Sequence, residues 1–269
     1  MADSISARKK TRRAGPDRIR ISVIGNRLDA ISKEIGQTML RTSRSPIFSE
    51  ARDFVTAIFD SKARLVAQTA YIPVLMGALP YALRSIAATF AGDVHDGDVF
   101  ILNDPYRGNN HPPDITIAKP VFHAGTLAFW SVSKGHHADV GGGGVAGYNP
   151  TARVVWEEGI RIPPAKLYQR GVPNRSLWDT ILLNVHLPFL VEGDLQCQVG
   201  AVTIGERSLK SLLSKYGRPT LESARTTPLR RNFSSTGRRR SPWWCASCNC
   251  SIAVPSATPV AGTSNRSTN

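Results

Sequence analysis

The sequence predicts an α/β or α+β domain in which a sheet with β-hairpins is flanked by helices and followed by a disordered basic tail. Two apolar runs, 115–122 and 127–132, surround a Gly-containing turn and predict one hairpin. Apolar residues at helical spacing between positions 24 and 40 predict an amphipathic helix. After residue 217 the chain is rich in Ser, Thr, Pro and Arg without an apolar period, which predicts disorder.

Charge divides the 269 residues into a basic disordered N-terminus (1–20), a folded domain (21–217) and the tail (218–269). Residues 1–20 hold seven Lys and Arg against two Asp, and the tail holds eight Arg against one Glu. These ends account for nearly all of the net charge of +14, so they are expected to be solvated, and nucleic acid is not an expected partner. No apolar run is long enough to cross a membrane and no secretory signal is evident, so we expect a cytoplasmic protein without a membrane partner.

The remaining elements follow from the same kinds of pattern. The helix between 24 and 40 places its apolar side chains three or four residues apart, at Ile24, Leu28, Ile31, Ile35 and Met39. A second hairpin is predicted at 52–60 with 64–68, a short helix at 80–90 and a strand at 98–103. Two further helices are predicted at 176–187 and 194–216. Within the last helix, Glu206 is expected to be an exposed polar residue.

Side chains that can bind metals are concentrated between residues 103 and 144, which include four of the six histidines. His111 and Asp114 precede the first strand of the hairpin, and His136 and Asp139 follow the second, so both groups should meet at its open end. Two imidazoles and a carboxylate commonly bind Zn, Mn or Fe(II). Alternatively, these residues cap turns and satisfy buried backbone groups.

Two later segments add candidates. The glycines at 141–144 permit close approach of a ligand or an anion, or form a mobile loop, but no Gly-Lys-Ser/Thr phosphate loop follows them. Any ATP would therefore have to be bound by a partner. Around a proline pair, Glu158, Arg161 and Lys166 could surround an anionic substrate, the carboxylate acting as general base and a cation stabilising negative charge. Ion pairing at the surface is the alternative for at least one of these three residues.

Four segments resemble the hydantoinase B/oxoprolinase family over about residues 20–217: ARDFVTAIFD, NDPYRGNNHPPD, SKGHHADVGG and EEGIRIPPAKLY. That family includes B subunits of ATP-dependent N-methylhydantoinases, 5-oxoprolinases and acetone-type carboxylases. The resemblance implies a metal held by His111, Asp114 and His136. It also implies that His137 and Asp139 lie behind these ligands, where they orient them or move protons.

The resemblance also implies a division of labour between two proteins. A hydantoinase A-type subunit would bind ATP and activate a small cyclic amide. This chain, as the B-type component of a hydantoin or 5-oxoproline hydrolase, would complete the reaction with a divalent metal (Zn, Mn or Fe). The catalytic candidates are Asp139, His137, Glu158 and Arg161. The alternatives are a subunit of a related ATP-dependent ketone carboxylase and a truncated, non-catalytic partner.

The chain departs from the family pattern at several positions. Tyr71 and Leu75 stand where the family usually has two histidines. Asn109 and Asn110 precede His111 where the family commonly has Gly-Thr. The resemblance stops near residue 217, although family members continue, and we expect a frameshift, a gene-model error or a degraded gene to account for the tail.

Overall fold

The computed structural model describes residues 18–144, 149–218 and 220–221, which form one sheet with helices on both faces. The helices are α1 (Arg18–Thr42), α2 (Pro46–Ser49), α3 (Pro73–Thr89), α4 (Val155–Glu158), α5 (Arg175–Leu183) and α6 (Pro188–Tyr216). The strands are β1 (Phe54–Asp60), β2 (Leu65–Ala70), β3 (Val99–Leu102), β4 (Asp114–His123), β5 (Thr126–His136), β6 (Ala165–Gln169) and β7 (Val172–Pro173).

The seven strands are arranged in the order β2-β1-β5-β4-β3-β6-β7, and every neighbouring pair is antiparallel. Antiparallel pairing throughout makes the domain α+β, one of the two predicted classes. Both predicted hairpins are confirmed, as β1–β2 and β4–β5. The β4–β5 hairpin lies in the middle of the sheet, with β1 against β5 and β3 against β4.

Strand β1 shows how the sheet is covered on both sides, because all seven of its residues are buried. Phe54 and Ile58 pack with the apolar faces of α1 and α6, whereas Val55 and Phe59, which alternate with them, pack with α3. The domain therefore has three layers: α1 and α6, then the sheet, then α3. A third apolar cluster joins β3, β6 and α5 to the N-terminal half of α6.

The predicted stripe of α1 is confirmed, since its five apolar residues are all buried. Predicted boundaries and exposure were less accurate. The helix predicted at 80–90 begins at Pro73, because Pro80 lies inside it instead of starting it. The expectation for Glu206 was wrong: it is 9% exposed and pairs with Lys119 at 2.9 Å and Lys210 at 2.7 Å.

The predicted disorder of the two ends falls mostly outside the described residues. Within them, α1 already begins at Arg18 and Leu221 is 1% exposed, so the folded part extends past both predicted boundaries. Among the described residues, no helix is long and apolar enough to cross a membrane.

Candidate metal centre

The open end of the central hairpin brings two of the predicted ligands together. Asp114 is the first residue of β4, His136 is the last residue of β5, and the two are directly paired. The second strand of the hairpin was predicted to end at 132, but it continues to His136, so this histidine lies on a strand and not in a loop. The His136 backbone N–H donates to the Asp53 carbonyl on the neighbouring chain segment at 2.9 Å, which fixes the strand end.

The turn formed by residues 111–114 brings His111, the third predicted ligand, to the same end of the hairpin. Two asparagine side chains brace this turn. Asn109 Nδ2 reaches the carbonyl oxygens of Asn103 and His111 at 2.8 and 2.9 Å, and Asn103 Nδ2 donates to the Pro112 carbonyl at 2.8 Å. Backbone polar groups that would otherwise be buried without partners are satisfied in this way, so the turn has a defined shape.

The three predicted ligands converge. Asp114 Oδ2 lies 3.2 Å from His111 Nδ1, and Asp114 Oδ1 lies 3.2 Å from His136 Nδ1. One ligand-type atom from each residue can be chosen so that all three atoms lie within 4.8 Å of one another. Zinc ligands at about 2.0–2.2 Å from the ion lie roughly 3–4 Å apart, and each imidazole nitrogen has this spacing from one of the two Asp114 oxygens.

The charges of the three ligand candidates also suit a divalent cation. Asp114 is fully buried, and burial alone would raise its pKa, but the two neighbouring imidazoles outweigh burial and lower the pKa to about 2. Its carboxylate is therefore ionised at neutral pH. His111 Nδ1 is buried and makes no properly directed hydrogen bond among the described residues, although the carboxylate is near. A buried nitrogen without a hydrogen bond beside an ionised carboxylate is a suitable environment for a divalent cation.

A cavity of about 350 Å³ opens beside His111. Its walls include Tyr106, Asn110, Val155 and Glu158. Of the predicted catalytic residues, Glu158 therefore faces the same space as a metal-ligand candidate. Burial lowers the pKa of His111, but Asp114 and, to a smaller extent, Glu158 raise it, and the net shift of the pKa is upward.

Arg161 contacts Tyr106, a residue of the cavity wall. Its guanidinium is 5.4 Å from the ring centres of both Tyr106 and Trp156 and 3.9 Å from Asp104 Oδ1. Stacking between two aromatic rings restricts this long side chain. Asp104 itself accepts a hydrogen bond from the Tyr106 backbone N–H at 3.1 Å, which is the turn-capping alternative to a ligand role.

The other two predicted catalytic residues face different neighbours. His137 is fully buried on the opposite side of the strand end, with Nε2 2.9 Å from Gln198 Oε1 and its ring edge-on to Phe48. Burial lowers its pKa, which favours the neutral imidazole. Asp139 accepts hydrogen bonds from the backbone N–H groups of Gly141, His186 and Leu187. Among the described residues, neither joins the group of three. That these two residues orient the ligands or move protons stays a prediction.

The contacts of the glycine segment and of Lys166 are structural. A Cβ atom on Gly142 would lie 2.6 Å from the Glu157 carbonyl, so the close approach that Gly142 permits is to the segment that carries Glu158. Lys166 is mostly buried and pairs with Asp93 at 3.0 Å and Asp98 at 3.1 Å. The ion-pair alternative is therefore the one observed for Lys166, although the pair is less exposed than expected.

Two residues for which the sequence predicted no role, Lys134 and Asn110, also lie at the site. Lys134 is fully buried, and its ammonium donates to Asn110 Oδ1 at 2.9 Å. Burial lowers the pKa of Lys134 to about 8, against the opposing effect of Asp114. The alternation of side chains along a strand could have identified Lys134 as a neighbour of the site, because Lys134 and His136 point to the same face of β5.

Comparison with known proteins identifies the family of this chain. The family model described as Hydantoinase B/oxoprolinase matches residues 17–235. This chain belongs to the hydantoinase B/oxoprolinase family. The family resemblance predicted from the four segments is thus confirmed.

Two curated family members and one solved structure show the closeness of the match. The caprolactamase subunit beta of Pseudomonas jessenii is 39% identical over 201 residues, covering 75% of this chain and 35% of that protein. 5-Oxoprolinase 1 of Arabidopsis thaliana is 32% identical over 222 residues, covering 77% of this chain and 17% of that protein. The crystal structure of the ATP-dependent caprolactamase from P. jessenii matches with a TM-score of 0.74 and 38% identity, over 78% of this chain and 36% of that chain. This chain therefore spans about a third or less of the length of these relatives.

At the two positions where the family usually has histidines, this chain has residues that cannot bind a metal in the same way. Leu75 is 2% exposed and belongs to the apolar cluster beneath α3. The Tyr71 ring packs on Phe54 with 4.7 Å between ring centres, and its hydroxyl lies 3.4 Å from Gln37 Nε2. Within the described residues, the group with ligand-type geometry is thus the one formed by His111, Asp114 and His136.

Proposed function

We propose that this chain is the B-type component of an ATP-dependent hydrolase of cyclic amides of the hydantoin or 5-oxoproline type. Its similarity to a caprolactamase subunit and to a 5-oxoprolinase supports the class of reaction. The observation that carries the proposal is the convergence of His111, Asp114 and His136 beside the cavity that Glu158 also lines.

Amide resonance makes a ring amide a poor electrophile, so coupling ring opening to ATP is chemically reasonable. Because this chain has no phosphate loop, we assign ATP to an A-type partner subunit. The partner would activate the amide, and the B-type site would receive the activated small molecule. A divalent metal (Zn, Mn or Fe) held by the three residues would supply Lewis-acid chemistry there, polarising a carbonyl or activating water.

The residues of the chain have separable tasks in this proposal. Asp114 provides the permanent negative charge of the site, and the two imidazoles flank its oxygens. Glu158 faces the cavity and can accept a proton from the attacking nucleophile. Arg161 is held against Tyr106, a residue of the cavity wall, and its charge can stabilise negative charge that develops in the transition state.

Metal content tests the ligand set directly. We expect His111→Ala and Asp114→Ala to lose most of the metal bound by the purified full chain, because each removes a donor at the centre of the group. His123→Ala is the matched control, since His123 lies at the opposite end of the hairpin from Asp114 and His136. Elemental analysis after dialysis against a weak chelator gives the readout. Equal metal in all three variants would refute the ligand set.

Activity is tested by adding an A-type subunit, ATP and a series of lactam, hydantoin and 5-oxoproline substrates. Ring opening that requires both chains and disappears in Asp114→Ala supports the hydrolase. Carboxylation of a ketone by the same mixture with bicarbonate indicates the carboxylase alternative. Tight binding of the A-type subunit without turnover of any substrate indicates the non-catalytic partner.

A further inference from the structure

The Asp114 carboxylate has an additional neighbour besides the two imidazoles. Asn110 Nδ2 donates to Asp114 Oδ2, and Asn110 Oδ1 accepts from the Lys134 ammonium at 2.9 Å. Lys134 is fully buried, whereas Asn110 is exposed and lines the cavity. A continuous series of contacts therefore runs from the interior of the sheet, through Asn110, to the candidate metal ligand.

The chemistry of the partners fixes the direction of the carboxamide. A lysine ammonium can only donate, so it must face the oxygen of Asn110 and leave the NH₂ group for the other side. An ionised carboxylate can only accept, so it requires that NH₂ group. If the carboxamide turned over, a donor would meet a donor and an oxygen would meet an oxygen. Lys134 thus selects the orientation of Asn110 that suits Asp114.

We propose that Lys134 and Asn110 are positioning residues, with Lys134 orienting the Asn110 carboxamide and Asn110 holding the Asp114 carboxylate with one oxygen beside each imidazole. This inference rests on the proposed metal centre and concerns how its ligand is oriented. It explains why a lysine is buried within two residues of His136, where an uncompensated positive charge would be costly. The amide oxygen and the nearby carboxylate provide that compensation.

An electrostatic role and a positioning role of Lys134 predict opposite changes in metal affinity when its ammonium is removed. Removing the Lys134 ammonium takes a positive charge away from a cation site, and this effect alone would tighten metal binding. Removing it also frees Asn110 to turn, which would weaken binding by misorienting Asp114. Contacts that orient metal ligands typically change affinity 10–100-fold when they are lost. The sign of the change therefore separates a positioning role from a simple electrostatic one.

The test uses the full chain with Zn²⁺ alone as probe, and measures Kd by competition with a chromophoric chelator. We expect Lys134→Met to weaken binding about 10-fold and Asn110→Ala about 10–100-fold. The double variant should bind Zn²⁺ no more weakly than Asn110→Ala, because Lys134 acts through Asn110 and the loss of its charge alone would tighten binding. Lys119→Met is the control: this lysine is also largely buried and paired, but with Glu206 and Thr203 on α6, and it should leave Kd unchanged.

A second measurement uses Co²⁺ and its visible absorption spectrum, which responds to ligand geometry. We expect both variants to shift the spectrum while thermal unfolding shows that they remain folded. Tighter Zn²⁺ binding in Lys134→Met, an unchanged Kd in Asn110→Ala, or multiplicative losses in the double variant would overturn the inference alone. A wild-type chain that binds neither ion overturns the proposed metal centre and this inference together.

Discussion

Two glycines of α6 give a direct test of how closely this helix approaches the sheet. Gly205 is buried, and a Cβ atom there would lie 2.3 Å from Ser131 Oγ on β5 and 2.6 Å from Ile35 Cδ1 on α1. Gly200 lies on the same helix but is exposed, and a Cβ atom there would meet no atom within 4 Å. The pair separates helix propensity from packing within one element.

Alanine should have opposite effects at these two positions. In a helix interior, Gly→Ala is worth about 1 kcal/mol, so Gly200→Ala should raise the free energy of unfolding by about that amount. Gly205→Ala gains the same propensity but forces α6 away from Ser131 and Ile35, both fully buried, and overpacking of this kind costs about 1–3 kcal/mol. We therefore expect Gly205→Ala to be about 1–3 kcal/mol less stable than Gly200→Ala.

Urea unfolding followed by circular dichroism measures both variants, provided that their m-values agree with that of the wild type. Equal stabilisation by the two substitutions would show that α6 does not contact the sheet as closely as described. The result also bears on the candidate metal centre, because α6 carries Gln198, which contacts His137 at 2.9 Å.

Two further predictions concern the carboxylates. For Asp114, the pKa in the folded chain, about 2, lies below its ordinary 3.8, so metal-free protein should hold about 2 kcal/mol of stability above pH 3.8 and lose it as the pH falls through 2. Asp114→Asn should lack this component, and chemical unfolding of both proteins between pH 2 and 5 checks it; parallel pH profiles would refute the assignment. For Asp139, Asp139→Asn should lower the free energy of unfolding by about 1.5–3 kcal/mol, because a charged acceptor of backbone N–H groups is lost, while bound metal is retained. Loss of metal from the folded Asp139→Asn chain would favour the ligand-supporting role predicted from the sequence.

The local sequence pattern was sufficient to predict the elements in which buried residues recur at a regular spacing. The stripe from Ile24 to Met39 predicted α1 because one face of that helix packs against a single apolar layer. Both hairpins were predicted because branched residues and short turns are adjacent in sequence. The start of α3 was not, since this helix begins at Pro73 and continues through Pro80, although proline is favoured in the first helical turn and not in the interior.

The convergence of His111, Asp114 and His136 was predictable for a related reason: the hairpin that joins them is a local structure. Gln198 beside His137 and the His186 backbone beside Asp139 were not predictable, because only tertiary folding brings these segments near. Burial of Lys134 and Glu206 also escaped prediction. Lys134 contacts Asn110 and Glu206 contacts Lys119, and single-sequence patterns carry no record of such distant pairs. The second partner of Glu206, Lys210, is local, four residues further along α6.

The placement of the ligand candidates within one hairpin has a consequence for folding. All three lie between residues 111 and 136, and Asp114 and His136 form the first pair of the β4–β5 register. Closing this short loop costs less chain entropy than docking α1 against α6, whose residues are separated by most of the domain. Formation of the hairpin alone brings Asp114 and His136 together, so an ion could be captured early and favour the native register before the helical layers assemble.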